Sequence, residues 1–161
     1  MSQWNNFFIV AAGASAALAG LVIVAISVNI ARILEFTHLP TRAGATIGCL
    51  LLILVSSLAT LVPQPMWMLG SEVLAFSLSA LWLRMKSAQL GFAAGRQFQR
   101  PRFEAMFGLI TGQLQTLPFL IGAGLLVTGR ANGFYWIATG VVCIFLFSTL
   151  DIWILLVEIL R

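Results

Sequence analysis

Residues 133–159, GFYWIATGVVCIFLFSTLDIWILLVEI, form a nearly unbroken apolar stretch that carries a carboxylate at position 151. At about 1.5 Å of rise per residue, a helix of this length crosses about 30 Å of bilayer hydrocarbon. A carboxyl group in lipid is costly unless it is paired, hydrogen-bonded or hydrated. The stretch therefore predicts a transmembrane helix and marks Asp151 as a candidate functional residue.

The composition extends this interpretation to the whole chain of 161 residues. Hydrophobic residues make up 60% of it and charged residues 9%, whereas soluble domains carry about 25% charge. The mean hydropathy is +1.01. These values exclude a water-soluble fold, and we expect a single membrane domain over residues 1–161.

Four more apolar stretches precede residue 133, separated by short segments with turn-forming residues such as proline and glycine. We predict an all-α integral membrane protein, a bundle of five transmembrane helices at about residues 7–34, 43–62, 66–85, 103–128 and 133–159. Residues 86–102 are predicted to be a basic cytoplasmic loop, because Gly91, Gly95 and Pro101 disfavour a long helix there.

The cations are distributed unequally between the two sides that these spans define. Lysine and arginine near short loops stay in the cytoplasm. Eight of the nine fall on one side: Arg32, Arg42, Arg84, Lys86, Arg96, Arg100, Arg102 and Arg161. This predicts an N-terminus outside, a cytoplasmic C-terminus and a cytoplasmic anchor at Arg96, Arg100 and Arg102. The net charge of +4 then reflects topology, so the bilayer and not nucleic acid is the expected partner.

Polar residues within the spans fall at two depths when each span is counted from its end. Glu72 lies roughly 9 Å from the outer edge, and Asp151 lies roughly 10 Å from the inner edge. We predict an ion pathway lined by Glu72, Asp151, Asn29, Ser79 and Gln113. No lysine or arginine falls in the middle of a span, so the predicted transported species is a cation or a proton.

Structural roles for the same residues remain open. Asn29, Gln113 and the serines are residue types that also join transmembrane helices by hydrogen bonds. Arg32 or Arg84 is long enough to reach Asp151 and to form a structural ion pair. For Glu72, Arg130 is the one cation at a similar depth.

Small residues form stripes on two of the predicted spans and allow close approach of helix backbones. We predict helix packing at Gly13, Ala17 and Gly20 of the first span and at Gly108 and Gly112 of the fourth. Such stripes fit a symmetric homo-oligomer, and packing within one chain explains them equally well.

No motif for common enzyme chemistry is found in the sequence. Cys49 and Cys143 have no neighbouring metal ligands, and His38, the single histidine, falls in a turn without an obvious catalytic partner. We therefore expect a non-enzymatic protein without a metal site or a cofactor.

The first 35 residues resemble a group of small bacterial inner-membrane proteins of unassigned function. The resemblance is carried by Trp4, Phe7 and Phe8, by residues 13–20 (GASAALAG) and by residues 25–29 (AISVN). It implies a multi-pass protein of the bacterial inner membrane, in which Asn29 belongs to a recurring feature of the first helix.

Three functions fit these observations. The first is an oligomeric protein that forms a cation or proton pathway, an ion channel in the broad sense. The second is a regulator or accessory subunit that binds a partner in a larger membrane complex. The third is a lipid- or small-ligand-binding protein with a pocket near Glu72 and Trp67.

Overall fold

The computed structural model describes residues 2–34, 39–97 and 102–160, with side chains described at 4–31, 33, 40, 43–86, 88–89 and 113–153. All regular structure in the described residues is helical. The helices are α1 (Ser2–Val28), α2 (Ile30–Leu34), α3 (Leu39–Leu61), α4 (Met66–Gln97), α5 (Arg102–Val127) and α6 (Gly133–Leu160). The predicted all-α class is confirmed.

Within the described residues, four helices are long and apolar enough to cross a membrane. Their apolar segments are Trp4–Val28, Ala43–Leu61, Met66–Lys86 and Gly133–Trp153, close to four of the predicted spans. The stretch predicted as the remaining span, 103–128, is helical as α5. Within its described side chains, the apolar segment Gln113–Val127 is shorter than the other four.

The first predicted span is interrupted at Asn29. The Asn29 side-chain amide donates to the Ala25 carbonyl at 3.0 Å, where the backbone N–H of residue 29 would bind in a continuous α-helix. That N–H instead donates to the Ile26 carbonyl at 3.1 Å. The side chain therefore replaces one backbone bond and separates α1 from α2.

The predicted loop at 86–102 needs correction, because α4 continues through Gln97. Glycines at 91 and 95 cost about 1 kcal/mol each in a helix relative to alanine, whereas the alanines at 88, 93 and 94 of the same segment favour the helix. The first proline after Met66 is Pro101, so no residue before it prevents the helix from continuing.

The bundle is organised around α3, which packs against α1, α4 and α6, while α5 packs between α4 and α6. The described residues form three apolar clusters, and the largest of them fills most of the interior. It extends from Phe8, Leu69 and Phe134 near the N-terminus of α1 to Ala80 and Ile144 towards the other end. We call the first end the aromatic end, after the contacts of Trp4 with Phe8, Phe134 and Tyr135.

Glycines bring backbones into contact at the aromatic end. A Cβ added at Gly70 of α4 would lie 2.5 Å from the Val127 nitrogen of α5. A Cβ at Gly133 of α6 would lie 2.5 Å from the Gly122 oxygen of α5. The predicted turn between α5 and α6 is confirmed: Gly129 adopts a φ of 75°, and Arg130 N–H donates to the Leu125 carbonyl, which closes the helix end.

Candidate functional site

Three helices meet at a polar cluster at the end of the bundle opposite the aromatic end. Leu69, Val73, Ser77 and Ala80 form the buried face of α4, and Arg84 continues that face one turn further. Its side chain therefore points into the bundle. Cys49 of α3 and Asp151 of α6 lie against it, and we call Cys49, Arg84 and Asp151 the charge cluster.

The Arg84 guanidinium joins the other two members of the charge cluster. Its Nε donates to the Cys49 Sγ at 2.9 Å, and its Nη2 lies 3.6 Å from the Asp151 Oδ2. The side chains of Arg84 and Asp151 are 11% and 25% exposed, and Cys49 is fully buried. Of the alternatives left open for Asp151, an ion pair with Arg84 is confirmed.

Several buried polar atoms near this cluster and elsewhere inside the bundle have no hydrogen-bond partner among the described residues. They are Arg84 Nη2, Ser148 Oγ, Gln115 Oε1, Ser56 Oγ and Ser57 Oγ. Ser148 precedes Asp151 by about one helical turn and is fully buried. Buried polar groups are nearly always satisfied, so these atoms call for hydration or transient partners.

Glu72 lies near the aromatic end and has a neutral partner. The Gln64 side-chain amide donates to the Glu72 Oε2 at 2.9 Å and also reaches the Ala59 carbonyl at 3.2 Å. Gln64 stands between two prolines in the connection from α3 to α4. Gln64 lies in a turn eight residues before Glu72, so helical spacing in the sequence gives no signal for this pairing.

The other residues predicted for the pathway have individual roles. Ser79 is exposed and donates to the Phe76 carbonyl, so it does not share an inward polar face with Glu72. Asn29 caps the break in the first span. Gln113 is half-buried, and its carbonyl accepts a bond from the Thr116 hydroxyl at 3.3 Å.

The structure does not bring the two acids together. Glu72 and Asp151 belong to separate groups of partners, and the apolar cluster lies along the bundle between them. Among the described residues, the buried polar side chains inside the bundle include Ser77, Gln115 and Ser148 and the serine pair at 56 and 57. Each of them lies three, four or seven positions from an apolar core residue of the same helix and therefore faces inward. Depth along the span, which was the basis of the predicted pathway, does not contain this information.

The small residues predicted for packing on α1 make no close contact with the described part of the chain. Gly13, Ala17 and Gly20 are exposed, and a Cβ added at either glycine would meet nothing within 4 Å. Packing within one chain is therefore not their role. The surroundings of Gly108 and Gly112 lie outside the described side chains.

The predicted cytoplasmic anchor is described only in part. Arg96 lies in α4 and Arg102 begins α5, but neither side chain is described, and Arg100 lies outside the described residues. Across the described part of the chain, no group of three or more metal-ligating side chains is found.

Comparisons with protein-family models, with curated proteins and with solved structures return no match.

Proposed function

We propose that the protein is a five-span membrane protein that conducts protons through a path that includes the charge cluster. The path would comprise Asp151 and the buried polar side chains Ser148 and Gln115. Glu72 would serve as an entry at the aromatic end. The N-terminus would lie outside and the C-terminus in the cytoplasm of a bacterial inner membrane, with α5 as the remaining span.

The exposed aromatic residues support insertion in a bilayer. Trp67 and Trp136 are exposed near the aromatic end, and Trp82 and Trp153 are exposed towards the other end. Trp67 and Trp82 are separated by about 22 Å along α4, and Trp136 and Trp153 by about 26 Å along α6. Tryptophan is enriched at the two interfaces between the headgroups and the hydrocarbon, which is about 30 Å thick. The two tryptophans of each helix therefore fit one interface each.

The observation that carries the proposal is the set of buried polar atoms without protein partners. An ionisable residue inside a membrane bundle is a functional candidate by default. Asp151 pairs with Arg84 and lies about one helical turn from Ser148, whose hydroxyl has no partner among the described residues. A hydroxyl group accepts a proton on oxygen and releases its own, and an amide oxygen orients a neighbouring water or hydroxyl; both need free bonding capacity to do so. Ser148, Gln115, Ser56 and Ser57 have that capacity within the described residues.

The packing favours a proton over a hydrated metal cation. The interior is filled by an apolar cluster that includes Phe119, Ile137 and Ile144, all fully buried. A hydrated cation needs a continuous aqueous passage, whereas a proton needs only a chain of polar groups and transient water. Passage of a larger cation would require a route between subunits of an oligomer.

Proton flux into liposomes tests the proposal. Purified protein is reconstituted with an entrapped pH-sensitive dye, and an imposed potassium diffusion potential drives protons. We expect flux above that of protein-free liposomes and a decrease of tenfold or more in Asp151→Asn. Ser148→Ala, which removes one hydroxyl, should lower flux severalfold.

The control is Arg130→Gln, at an exposed position in the α5–α6 turn, which should leave flux unchanged. Flux in the wild type that equals that of empty liposomes contradicts the proposal. Equal flux in wild type and Ser148→Ala would remove Ser148 from the path.

A second candidate, an accessory subunit or homo-oligomer, is favoured by the exposed small residues of α1. Small residues allow close helix approach in membranes, and Gly13, Ala17 and Gly20 have no such neighbour within the chain. Under this proposal Gly13→Leu and Gly20→Leu would reduce association measured by single-molecule photobleaching in bilayers. Unchanged subunit number in both variants would contradict it.

A further inference from the structure

The outward face of α4 carries an aromatic–cation pair at the end opposite the aromatic end. Lys86 follows Trp82 by one helical turn, and its Nζ lies 5.1 Å from the centre of the indole ring. Trp82 is 62% exposed and Lys86 is also exposed. Leu78 and Met85 add exposed apolar surface beside the pair.

The position of this pair along α4 matches a membrane interface. Lys86 lies about 28 Å from Trp67 along the helix, close to the hydrocarbon thickness of about 30 Å. The helix then continues to Gln97, about 16 Å further. The indole of Trp82 would therefore lie at the edge of the hydrocarbon and the amino group of Lys86 among the headgroups.

The charge beside this position is mainly positive, and the first acid after Lys86 in the sequence is Glu104. Residues 86–102 contain Lys86, Arg96, Arg100 and Arg102 but no aspartate or glutamate. Within the described side chains, Lys86 has no carboxylate partner. An anion supplied by another molecule would complete the pair.

We propose that the Trp82–Lys86 face of α4 binds anionic phospholipid headgroups selectively. A phosphodiester with a net negative charge would contact the Lys86 amino group, while its acyl chains cover Trp82, Leu78 and Met85. An acidic soluble protein would complement the charge but leave that apolar surface uncovered. This inference rests on the proposed membrane insertion.

Quenching by brominated lipids tests selectivity at this face. A variant with Trp82 as its only tryptophan, the other four replaced by Phe, is reconstituted with phosphatidylcholine and phosphatidylglycerol, one of them brominated in each sample. We expect relative binding constants from Trp82 quenching to favour phosphatidylglycerol by about fivefold, the effect of one lysine near an anionic surface. Lys86→Gln should reduce the ratio to about one, and Arg130→Gln should leave it unchanged.

The outcomes separate this inference from the function on which it rests. No quenching by either brominated lipid would contradict insertion of α4 in the bilayer. Equal quenching by both would overturn lipid selectivity and leave insertion intact.

If the single-tryptophan variant does not fold, native mass spectrometry of the wild type and Lys86→Gln replaces it. Equal retention of the two lipids by the wild type, or equal phosphatidylglycerol retention by wild type and variant, overturns the proposal.

Discussion

Glu72 and Asp151, two acids whose side chains the structure describes, are accommodated in different ways at the two ends of the bundle. Asp151 is paired with the guanidinium of Arg84, 67 positions away in the sequence, and that guanidinium also binds Cys49 of a third helix. Glu72 accepts a hydrogen bond from Gln64, eight positions away in the preceding connection. The first interaction joins three helices, whereas the second orders one turn.

The comparison shows that the presence of an acid within an apolar helix is not by itself a measure of its importance. Its partner determines what its removal would disturb. At the charged end, loss of the carboxylate leaves a largely buried guanidinium without its counter-ion. At the aromatic end, helices are held by close backbone contact at Gly70 and by stacked rings, so Glu72 contributes little to the assembly of the bundle.

The largest effect on stability is expected for Asp151→Asn. It should lower the free energy of unfolding by about 3 kcal/mol, because it leaves Arg84 buried and unpaired. The double variant Arg84→Gln/Asp151→Asn should recover most of that loss, since no charge is then left inside. Unfolding by denaturing detergent in mixed micelles measures both, and equal losses in the single and double variants would refute a coupled pair.

An intermediate effect is expected for Gly70→Ala at the aromatic end. The added methyl group meets the backbone of Val127, so α4 and α5 must separate, at a cost of about 2 kcal/mol. Gly124→Ala is the matched control, because a Cβ there meets nothing within 4 Å. Unfolding in the same micelles should distinguish the two, and equal stabilities would show that this contact is not close.

The smallest effect is expected for Glu72→Gln. The new amide still offers an oxygen to Gln64, and the half-buried position limits what a lost charge changes, so the loss should stay below about 1 kcal/mol. The same unfolding assay applies. A loss as large as that of Asp151→Asn would erase the difference between the two ends.

Much of the fold was predictable because apolar stretches of membrane length read directly as helices. The turn at Gly129 was predictable because a short segment with glycines separates two apolar stretches. The length of α4 was not, because the glycines at 91 and 95 weigh against a helix while the alanines of the same segment favour it.

Residues of the site were predictable to a smaller extent. Arg84 was one of two cations proposed for Asp151, since length and depth limit the choice. Cys49 as an acceptor and Gln64 as the partner of Glu72 depend on how helices turn about their axes. That rotation also decided that Gly13 and Gly20 lie outside the bundle and Gly70 within it.

Arg84 and Lys86 stand two residues apart on α4 and so project about 200° apart around its axis. One reaches into the bundle, and the other lies over an exposed indole. Turning α4 about its own axis would move Arg84 away from Cys49 and Asp151 and carry Lys86 towards the buried interior, and both moves are costly. The pair thus holds α4 at one azimuth, so a motion that involves this helix would have to be a tilt or a slide.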